Sequence, residues 1–168
     1  MNVHFPPEWS PHTATWLAWP YDTTSFPDRI PAVEREYVRV IGVLAESETV
    51  KLIVRPHQKR EVIEKLAAGK VTMLNVEFYD ADYADVWIRD WGPSFMTRNK
   101  KSAFVKWIYN AYGERFPELL KDDTVVDQIP AFEKFARTDA GFVMEGGAIE
   151  GNGAGTILTT EECLLNTN

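Results

Sequence analysis

The sequence has 168 residues, of which 45% are hydrophobic and 12% aromatic, so it can bury a sizeable core and would ordinarily form one globular domain. Its formal net charge of −7 argues against nucleic acid or an anionic membrane as partner and mildly favours a cationic ligand. One cysteine and three scattered histidines exclude an internal disulfide and a metal cage, no stretch reaches membrane-spanning length, and the N-terminus lacks a signal-peptide pattern, so we expect a cytoplasmic protein.

From residue 31 onwards the hydrophobic pattern predicts alternating helices and strands without linkers. Val33, Tyr37 and Ile41 fall on one helical face after a proline that suits a first helical turn, which predicts an amphipathic helix. β-branched residues then favour a strand, and Gly69 suits the end of a second helix. The predicted elements of this part are helix 31–46, strand 49–54, helix 57–68 and strand 71–79.

The second half of the chain is predicted to be richer in strands. A strand containing Trp87 precedes a pairing strand, and the charged Lys106 indicates that the strand after them is partly exposed. Because the residue before a proline avoids helical backbone, we expect the helical stretch 117–137 to break at Ile129-Pro130. Asn152-Gly153 between two apolar runs predicts a hairpin. The remaining predicted strands of this α/β fold are 94–98, 103–109, 141–150 and 155–160.

Residues 85–93 place an Arg-Asp pair between two tryptophans and end in Gly-Pro, a combination that suits neither a solvated loop nor a plain core strand. We interpret the stretch as the end of a strand that runs into a turn, with Asp90 at a half-buried rim. A carboxylate walled by indole rings suits a planar guanidinium cation, which it can meet through two parallel hydrogen bonds. The alternative is a structural ion pair between Arg89 and Asp90.

A second candidate carboxylate is Glu145, which follows apolar residues and precedes Gly146 and Gly147. The two glycines remove side chains that would block the approach of a ligand, although a bulge with an exposed glutamate is the alternative. Together with Asp90, Glu145 could also perform general acid/base chemistry, which would admit a glycosidase-like function. The Gly-x-Gly-x-Gly run at 151–155 does not indicate a nucleotide site, because a strand is predicted to follow it and it lacks a lysine.

Three tryptophans lie near the N-terminus: Trp9, Trp16 and Trp19. They are expected to pack in the core or as a lid, since large rings dominate core burial, and stacking on a ligand is the alternative. His12 is expected to be a hydrogen-bonded structural residue and not a base, although the sequence shows no evident partner for it. These residues therefore belong to the prediction of the fold.

Five blocks of the chain, in order, resemble the agmatine deiminase and bacterial peptidyl-arginine deiminase family. The blocks are Pro7-Glu8-Trp9 with His12 and Thr15-Trp16-Leu17-Ala18-Trp19-Pro20, Trp87-Ile88-Arg89-Asp90-Trp91-Gly92-Pro93, Asn110-Ala111-Tyr112-Gly113, Glu145-Gly146-Gly147, and Gly153-Ala154-Gly155-Thr156 with Thr160-Glu161-Glu162-Cys163-Leu164-Leu165-Asn166. The resemblance spans essentially the whole chain but only about the N-terminal half of such enzymes. It implies the pentein fold, a five-bladed α/β propeller of ββαβ units, of which residues 1–168 would supply two to three blades as a single incomplete domain.

The resemblance also implies a guanidine-group hydrolase that needs neither metal nor cofactor. In this family a thiolate attacks the guanidinium carbon, a histidine helps ammonia to leave, and water hydrolyses the covalent thiouronium to a ureido product. By resemblance, Asp90 binds the guanidinium and Glu145 belongs to the catalytic constellation beside the histidine. The resemblance places Asp85, Trp87 and Asn110 as substrate-binding residues at or near the pocket, where Asn110 would position a loop.

The expected substrate is a small guanidinium compound, above all agmatine, which would yield ammonia and N-carbamoylputrescine, an intermediate of polyamine biosynthesis. The absence of a signal peptide favours agmatine over a secreted peptidyl-arginine substrate, so a peptidyl-arginine deiminase is a second alternative. The first alternative is a non-catalytic module that binds a guanidinium or a polyamine. We also expect an open apolar side through which the isolated chain would dimerise or aggregate, so a homo-oligomer is one expected state.

Two elements of the family have no counterpart in these 168 residues, namely the histidine of a His-x-Asp element and the nucleophilic cysteine of a Gly-Gly-x-Ile-His-Cys element. Cys163 matches a non-nucleophilic position, and neighbouring carboxylates would oppose formation of its thiolate. We therefore expect the chain to be the N-terminal part of a longer enzyme and to be inactive alone. A natural half-protein and an enzyme of paired chains are the alternatives.

Overall fold

A computed structural model describes residues 3–165, and the chain divides into two compact units. The parallel-sheet unit is His12–Ile88, and the mixed-sheet unit is Arg89–Asn168 together with Met1–Pro11. Across the described residues the strands are β1 (Val3–His4), β2 (Ala14–Ala18), β3 (Thr49–Val54), β4 (Val76–Asp80), β5 (Ser94–Arg98), β6 (Lys101–Ile108), β7 (Ala136–Val143), β8 (Glu150–Gly151) and β9 (Ile157–Leu158). The α-helices there are α1 (Ile30–Leu44), α2 (Lys59–Ala68), α3 (Ile88–Trp91) and α4 (Glu161–Leu165).

The parallel-sheet unit has the order β2-α1-β3-α2-β4, with β3 at the centre of a three-stranded parallel sheet. The apolar faces predicted from the sequence meet in one core, where Ile41 of α1 and Leu66 of α2 are buried with Leu52 of β3. The prediction of strand 49–54 is confirmed, because a central parallel strand favours a nearly continuous apolar, β-branched run. None of the helices among residues 3–165 combines the length and the apolar character needed to cross a membrane.

The mixed-sheet unit contains a four-stranded sheet in the order β1-β5-β6-β7. β5 and β6 form an antiparallel hairpin whose turn residues, Asn99 and Lys100, have φ values of 51° and 65°, as a two-residue turn of primed type requires. β7 runs parallel to β6, and Ile108 at the end of β6 pairs with Val143 at the end of β7. The segments that follow these two strands therefore leave the sheet at the same edge.

The predicted hairpin near the C-terminal end is confirmed in short form, since β8 pairs antiparallel with β9. Its loop is held by Asn152, whose Oδ1 accepts hydrogen bonds from the backbone N–H groups of Ala154 (2.8 Å) and Thr156 (3.1 Å). Gly153 has a φ of +70°, and a Cβ there would overlap the ring of Pro7. The glycine run thus allows the chain to form this loop and leaves room for Pro7 of the N-terminal segment to pack against it.

The prediction of a strand through Trp87 is wrong. Residues 81–87 have no regular structure, and the chain then forms the single helical turn α3. The carboxylate of Asp85 accepts a hydrogen bond from the N–H of Val86 (2.7 Å), and the N–H of Ile88 donates to the carbonyl of Val86 (2.7 Å). Local partners therefore take up the backbone groups that a strand would need for its neighbours.

Three further predictions for the mixed-sheet unit need correction. Lys106 is only 5% exposed, because the carboxylate of Asp123 compensates its ammonium group inside the unit. The predicted helical stretch does break at Ile129, but its two pieces are 3₁₀ helices, Pro117–Gln128 and Pro130–Phe132. The strand predicted at 141–150 is present but begins and ends earlier, since β7 covers Ala136–Val143.

Candidate functional site

Asp90 lies in α3 and is held from both sides by neutral hydrogen-bond donors. Its Oδ2 accepts a hydrogen bond from the hydroxyl of Tyr112 (2.8 Å), and its Oδ1 accepts one from the backbone N–H of Gly147 (3.2 Å). A carboxylate offers about four acceptor positions, two on each oxygen. Among residues 3–165, one donor therefore contacts each oxygen, so that each oxygen could accept a further hydrogen bond. A guanidinium requires this arrangement for two parallel hydrogen bonds.

The two glycines after Glu145 make room for the protein itself. A Cβ at Gly147 would overlap Oδ1 of Asp90, and a Cβ at Gly146 would overlap the carbonyl oxygen of Arg89. The prediction that these glycines leave space for a ligand is wrong in this respect, because residues 89–90 occupy that space. Glycine is needed here for the close approach of two backbone segments.

Glu145 ends its extended segment with φ −80° and ψ 132°, and its carbonyl accepts a hydrogen bond from the N–H of Ala148 (2.9 Å), which closes the 3₁₀ turn Gly146–Ala148. Glu145 is partly buried, so it is not the exposed glutamate of the alternative. The bulge of that alternative agrees with the shift in register between Lys106 and Ile108, where β6 pairs with the end of β7. The structure thus brings the backbone beside Glu145 against residues 89–90. The catalytic role of both carboxylates stays a prediction.

Asn110 and Tyr112 belong to a turn of unusual hand. Ala111, Tyr112, Gly113 and Glu114 have φ values of 55°, 60°, 76° and 60°, so Ala111–Glu114 forms one left-handed turn. Asn110 holds it, because its Oδ1 accepts a hydrogen bond from the N–H of Gly113 (2.9 Å) and its carbonyl accepts one from the N–H of Glu114 (2.7 Å). This agrees with the expectation that Asn110 positions a loop, whereas direct contact with a substrate stays a prediction.

Sequence reasoning assigned no role to Tyr112, whose hydroxyl completes the setting of Asp90. Burial, followed by the hydrogen bond to the Asp90 carboxylate, raises the pKa of Tyr112 far above its ordinary value. The phenol therefore keeps its proton at neutral pH and acts as the donor. The only signal in the sequence was the position of Tyr112 inside the block of residues 110–113.

Arg89 does not pair with its neighbour Asp90, so the alternative of a structural pair between them is wrong. Its Nη2 lies 2.8 Å from Oε2 of Glu8, and both side chains are about half exposed. Glu8 belongs to a turn in which the N–H of Ser10 donates to the carbonyl of Pro7 (3.0 Å). Trp9 in the same turn is 75% exposed, so its prediction as a packing residue is also wrong.

Asp85 and Trp87 belong to the parallel-sheet unit. Asp85 is 2% exposed, and its Oδ2 accepts a hydrogen bond from the hydroxyl of Ser25 (2.6 Å). Burial and, in second place, the charge of Asp85 raise the pKa of Tyr37 to about 12. Trp87 is 47% exposed and packs against Phe26 with ring centroids 6.1 Å apart. Substrate contact by Asp85 and Trp87 stays a prediction.

The sequence also gives expectations for His12 and Cys163. His12 has a structural partner, since its Nε2 lies 2.8 Å from Oε2 of Glu48. Cys163 is partly buried, and its N–H donates to Oγ1 of Thr160 (3.3 Å) at the start of α4. Within residues 3–165, no three histidine, cysteine or acidic side chains converge where they could hold a metal ion.

Comparison with known proteins identifies relatives along the whole chain. The model of the Porphyromonas-type peptidyl-arginine deiminase family matches residues 4–168. The agmatine deiminase of Ectopseudomonas mendocina is 34% identical over 174 residues, covering 99% of this chain and 46% of the relative. A relative from Legionella pneumophila is 34% identical over 169 residues, covering 99% and 47%.

Solved structures agree with this result. A substrate-bound agmatine deiminase of C. jejuni superimposes with a TM-score of 0.83 at 28% identity, covering 99% of this chain and 48% of that one. An agmatine deiminase of Enterococcus faecalis gives a TM-score of 0.84 at 28% identity, covering 98% and 45%. The mixed α/β fold is therefore that of agmatine deiminase structures, and the chain spans about half of the length of the relatives it matches.

Proposed function

Because the chain belongs to the Porphyromonas-type peptidyl-arginine deiminase family, we propose that it forms the cation-holding part of a hydrolase that releases ammonia from a guanidine group. One observation carries the proposal: within the described part of the chain, the Asp90 carboxylate is oriented by two neutral donors, Tyr112 and Gly147, one on each oxygen. Each oxygen could therefore accept one further hydrogen bond. Its charge is not cancelled by Arg89, which pairs with Glu8. A guanidinium would supply the missing cation.

The proposed reaction is covalent. A thiolate adds to the guanidinium carbon, the carbon–nitrogen bond to the departing ammonia breaks with a proton from a histidine, and water then cleaves the thiouronium to the ureido product. Asp90 would hold the cation in place throughout, with Glu145 beside the histidine. The thiolate and the histidine would come from chain outside residues 1–168, which is consistent with the half-length match to relatives.

Agmatine is the proposed substrate, with N-carbamoylputrescine and ammonia as products. The agmatine deiminase of Ectopseudomonas mendocina and the substrate-bound agmatine deiminase structure support this proposal by their names. The net charge of −7 would also attract a compound with two positive charges. The description of the matching family favours peptidyl-arginine as the second candidate. Cytoplasmic location and homo-oligomeric state stay predictions from the sequence.

For the architecture, we propose that the chain contributes two to three blades of a five-bladed propeller, as one incomplete domain over residues 1–168. The strand order β5-β6-β7 with 3₁₀ helices between β6 and β7 supports this, because it repeats the ββαβ order of such blades. The parallel-sheet unit has the order βαβαβ, which differs from the ββαβ order of such blades. The number of blades in the chain therefore depends on how this unit is counted.

An assay of the complete protein tests the function. Ammonia and ureido product are measured with agmatine, free arginine and an arginine-containing peptide, and we expect agmatine to give the highest kcat/KM. Asp90→Asn should lower that value by roughly 10- to 100-fold, since it removes a charged hydrogen-bond partner of the cation.

Asp127→Asn is the matched control, because that exposed aspartate pairs with Arg137 on the surface of the same unit and should leave turnover unchanged. Preference for the peptide would establish the second candidate substrate. Full activity of Asp90→Asn would return Asp90 to a structural role, and binding of a guanidinium without turnover in the complete protein would indicate a non-catalytic module.

A further inference from the structure

We infer that Tyr112 is a positioning residue for the guanidinium reaction, because its hydroxyl orients the Asp90 carboxylate so that both oxygens face the substrate together. The inference rests on the proposed function of Asp90. Tyr112 itself need not contact the substrate, since its hydroxyl lies 2.8 Å from Asp90 Oδ2 and acts through that carboxylate.

The hydrogen bonds show why Asp90 needs this support. Gly147 supplies one donor to Oδ1 at 3.2 Å, which is at the long end for an N–H to oxygen bond. A single backbone donor leaves the carboxylate free to rotate about its last bond. The Tyr112 hydroxyl on the other oxygen removes that freedom, and two fixed oxygens present a planar edge that matches the two parallel N–H groups of a guanidinium.

The backbone that carries Tyr112 is strained, and the strain points to a role for the side chain. Ala111, Tyr112 and Glu114 are non-glycine residues with φ values of 55°, 60° and 60°. Each such residue in a left-handed turn is sterically unfavourable, because its Cβ comes too close to the following carbonyl oxygen. A cost of this kind persists where the surrounding structure enforces it, and such residues cluster at functional sites.

Neighbouring groups enforce the position of the Tyr112 ring. Tyr109 packs edge-on against it with centroids 5.5 Å apart, and Phe116 does so at 6.2 Å. Tyr109, which precedes the left-handed turn, is itself held by Asp123. The Asp123 carboxylate accepts a hydrogen bond from the N–H of Tyr109 (2.8 Å) and pairs with Lys106. The ring is therefore held with its hydroxyl against Asp90.

Agmatine binding to the complete protein tests the inference with three variants. Tyr112→Phe removes only the hydroxyl and should weaken binding and raise KM by about tenfold, with kcat changed little, because Asp90 holds the cation in both the ground and the transition state. Gly147→Ala, whose Cβ would overlap Oδ1 of Asp90, should weaken binding from the other side of the carboxylate. Tyr79→Phe is the control, since it removes a phenol that bonds with Lys51 and Glu77 in the parallel-sheet unit.

An ultraviolet difference spectrum gives a readout that a merely structural tyrosine would not move. When a guanidinium neutralises Asp90, the hydrogen bond from Tyr112 weakens and the phenol absorption should shift. The shift should vanish in both Tyr112→Phe and Asp90→Asn and persist in Tyr79→Phe.

The outcomes separate the two proposals. If Asp90→Asn loses agmatine binding while Tyr112→Phe and Gly147→Ala keep it, the positioning role is wrong and the function of Asp90 stands. If Asp90→Asn binds as wild type does, the function proposed for Asp90 fails first. If Tyr112→Phe does not fold, Gly147→Ala and the wild-type difference spectrum decide.

Discussion

The hydrogen-bond partners of Asp90 among the described residues suit the cation site that we propose. Within residues 3–165, both of its hydrogen-bond donors are neutral, whereas the adjacent guanidinium of Arg89 is directed to Glu8. Hydrogen bonds to an ionised carboxylate are stronger than those between neutral groups. The two donors therefore fix the carboxylate and leave its negative charge in place. A cation entering the site would find an oriented anion and would not have to displace an internal salt bridge.

The protonation of Tyr112 leads to a prediction for alkaline pH. Its pKa in the folded protein is raised above the ordinary value of 10.0, chiefly by burial and then by Asp90. The stabilisation from its neutral hydroxyl is therefore fully present below about pH 10 and is lost as pH rises further, because the unfolded chain then releases the proton first.

Urea unfolding of wild type and Tyr112→Phe measures this effect. The difference in the free energy of unfolding between the two proteins should be constant from about pH 7 to about pH 9 and shift in favour of Tyr112→Phe above about pH 10. A difference that is constant up to pH values well above this range would show that Tyr112 has an ordinary pKa in the folded protein.

Sequence reasoning could find Asp90 and the segment 145–147 because their residue types are unusual for their surroundings. It could not find the Tyr112 contact, since that contact depends on left-handed backbone that non-glycine residues seldom adopt. It also misjudged Gly146 and Gly147, because sequence shows that side chains are missing but not which atoms fill the space.

At the scale of the element, the left-handed turn Ala111–Glu114 provides a stability prediction. Glu114 is exposed and has a φ of 60°, where glycine has no steric cost. Glu114→Gly should therefore raise the free energy of unfolding by about 1 kcal/mol. Chemical denaturation measures this free energy. The control is Glu118→Gly, an exposed substitution in a right-handed 3₁₀ helix, which should instead lower the free energy of unfolding by about 0.5–1 kcal/mol. A destabilised Glu114→Gly protein would contradict the assigned backbone.

Element predictions succeeded where local pattern and tertiary environment agree. Strands 49–54 and 94–98 match β3 and β5, because alternating or continuous apolar runs with turn residues at their ends leave few alternatives. The element predictions failed at residues 81–87, where the side chain of Asp85 accepts a hydrogen bond from the adjacent backbone. They also failed at Pro117–Gln128, where the sequence indicates a helix but not its 3₁₀ form.

At the scale of the whole molecule, topology explains how distant motifs reach one carboxylate. β6 and β7 are parallel and end together at the pair Ile108 and Val143. The turn that carries Tyr112 and the segment that carries Gly147 therefore start from one edge of the sheet, although 35 positions separate these two residues in the sequence. A mixed α/β order was predictable, whereas the parallel pairing of β6 with β7 was not, because no local pattern encodes it.

A crystal structure with agmatine of the complete protein, its proposed nucleophilic cysteine replaced by serine so that the substrate stays intact, tests the central claim most directly. We expect two N–H groups of the guanidinium to lie about 2.7–2.9 Å from the two carboxylate oxygens of Asp90, with the Tyr112 hydroxyl and the Gly147 N–H still in place. A guanidinium bound elsewhere, with no hydrogen bond to Asp90, would contradict the account.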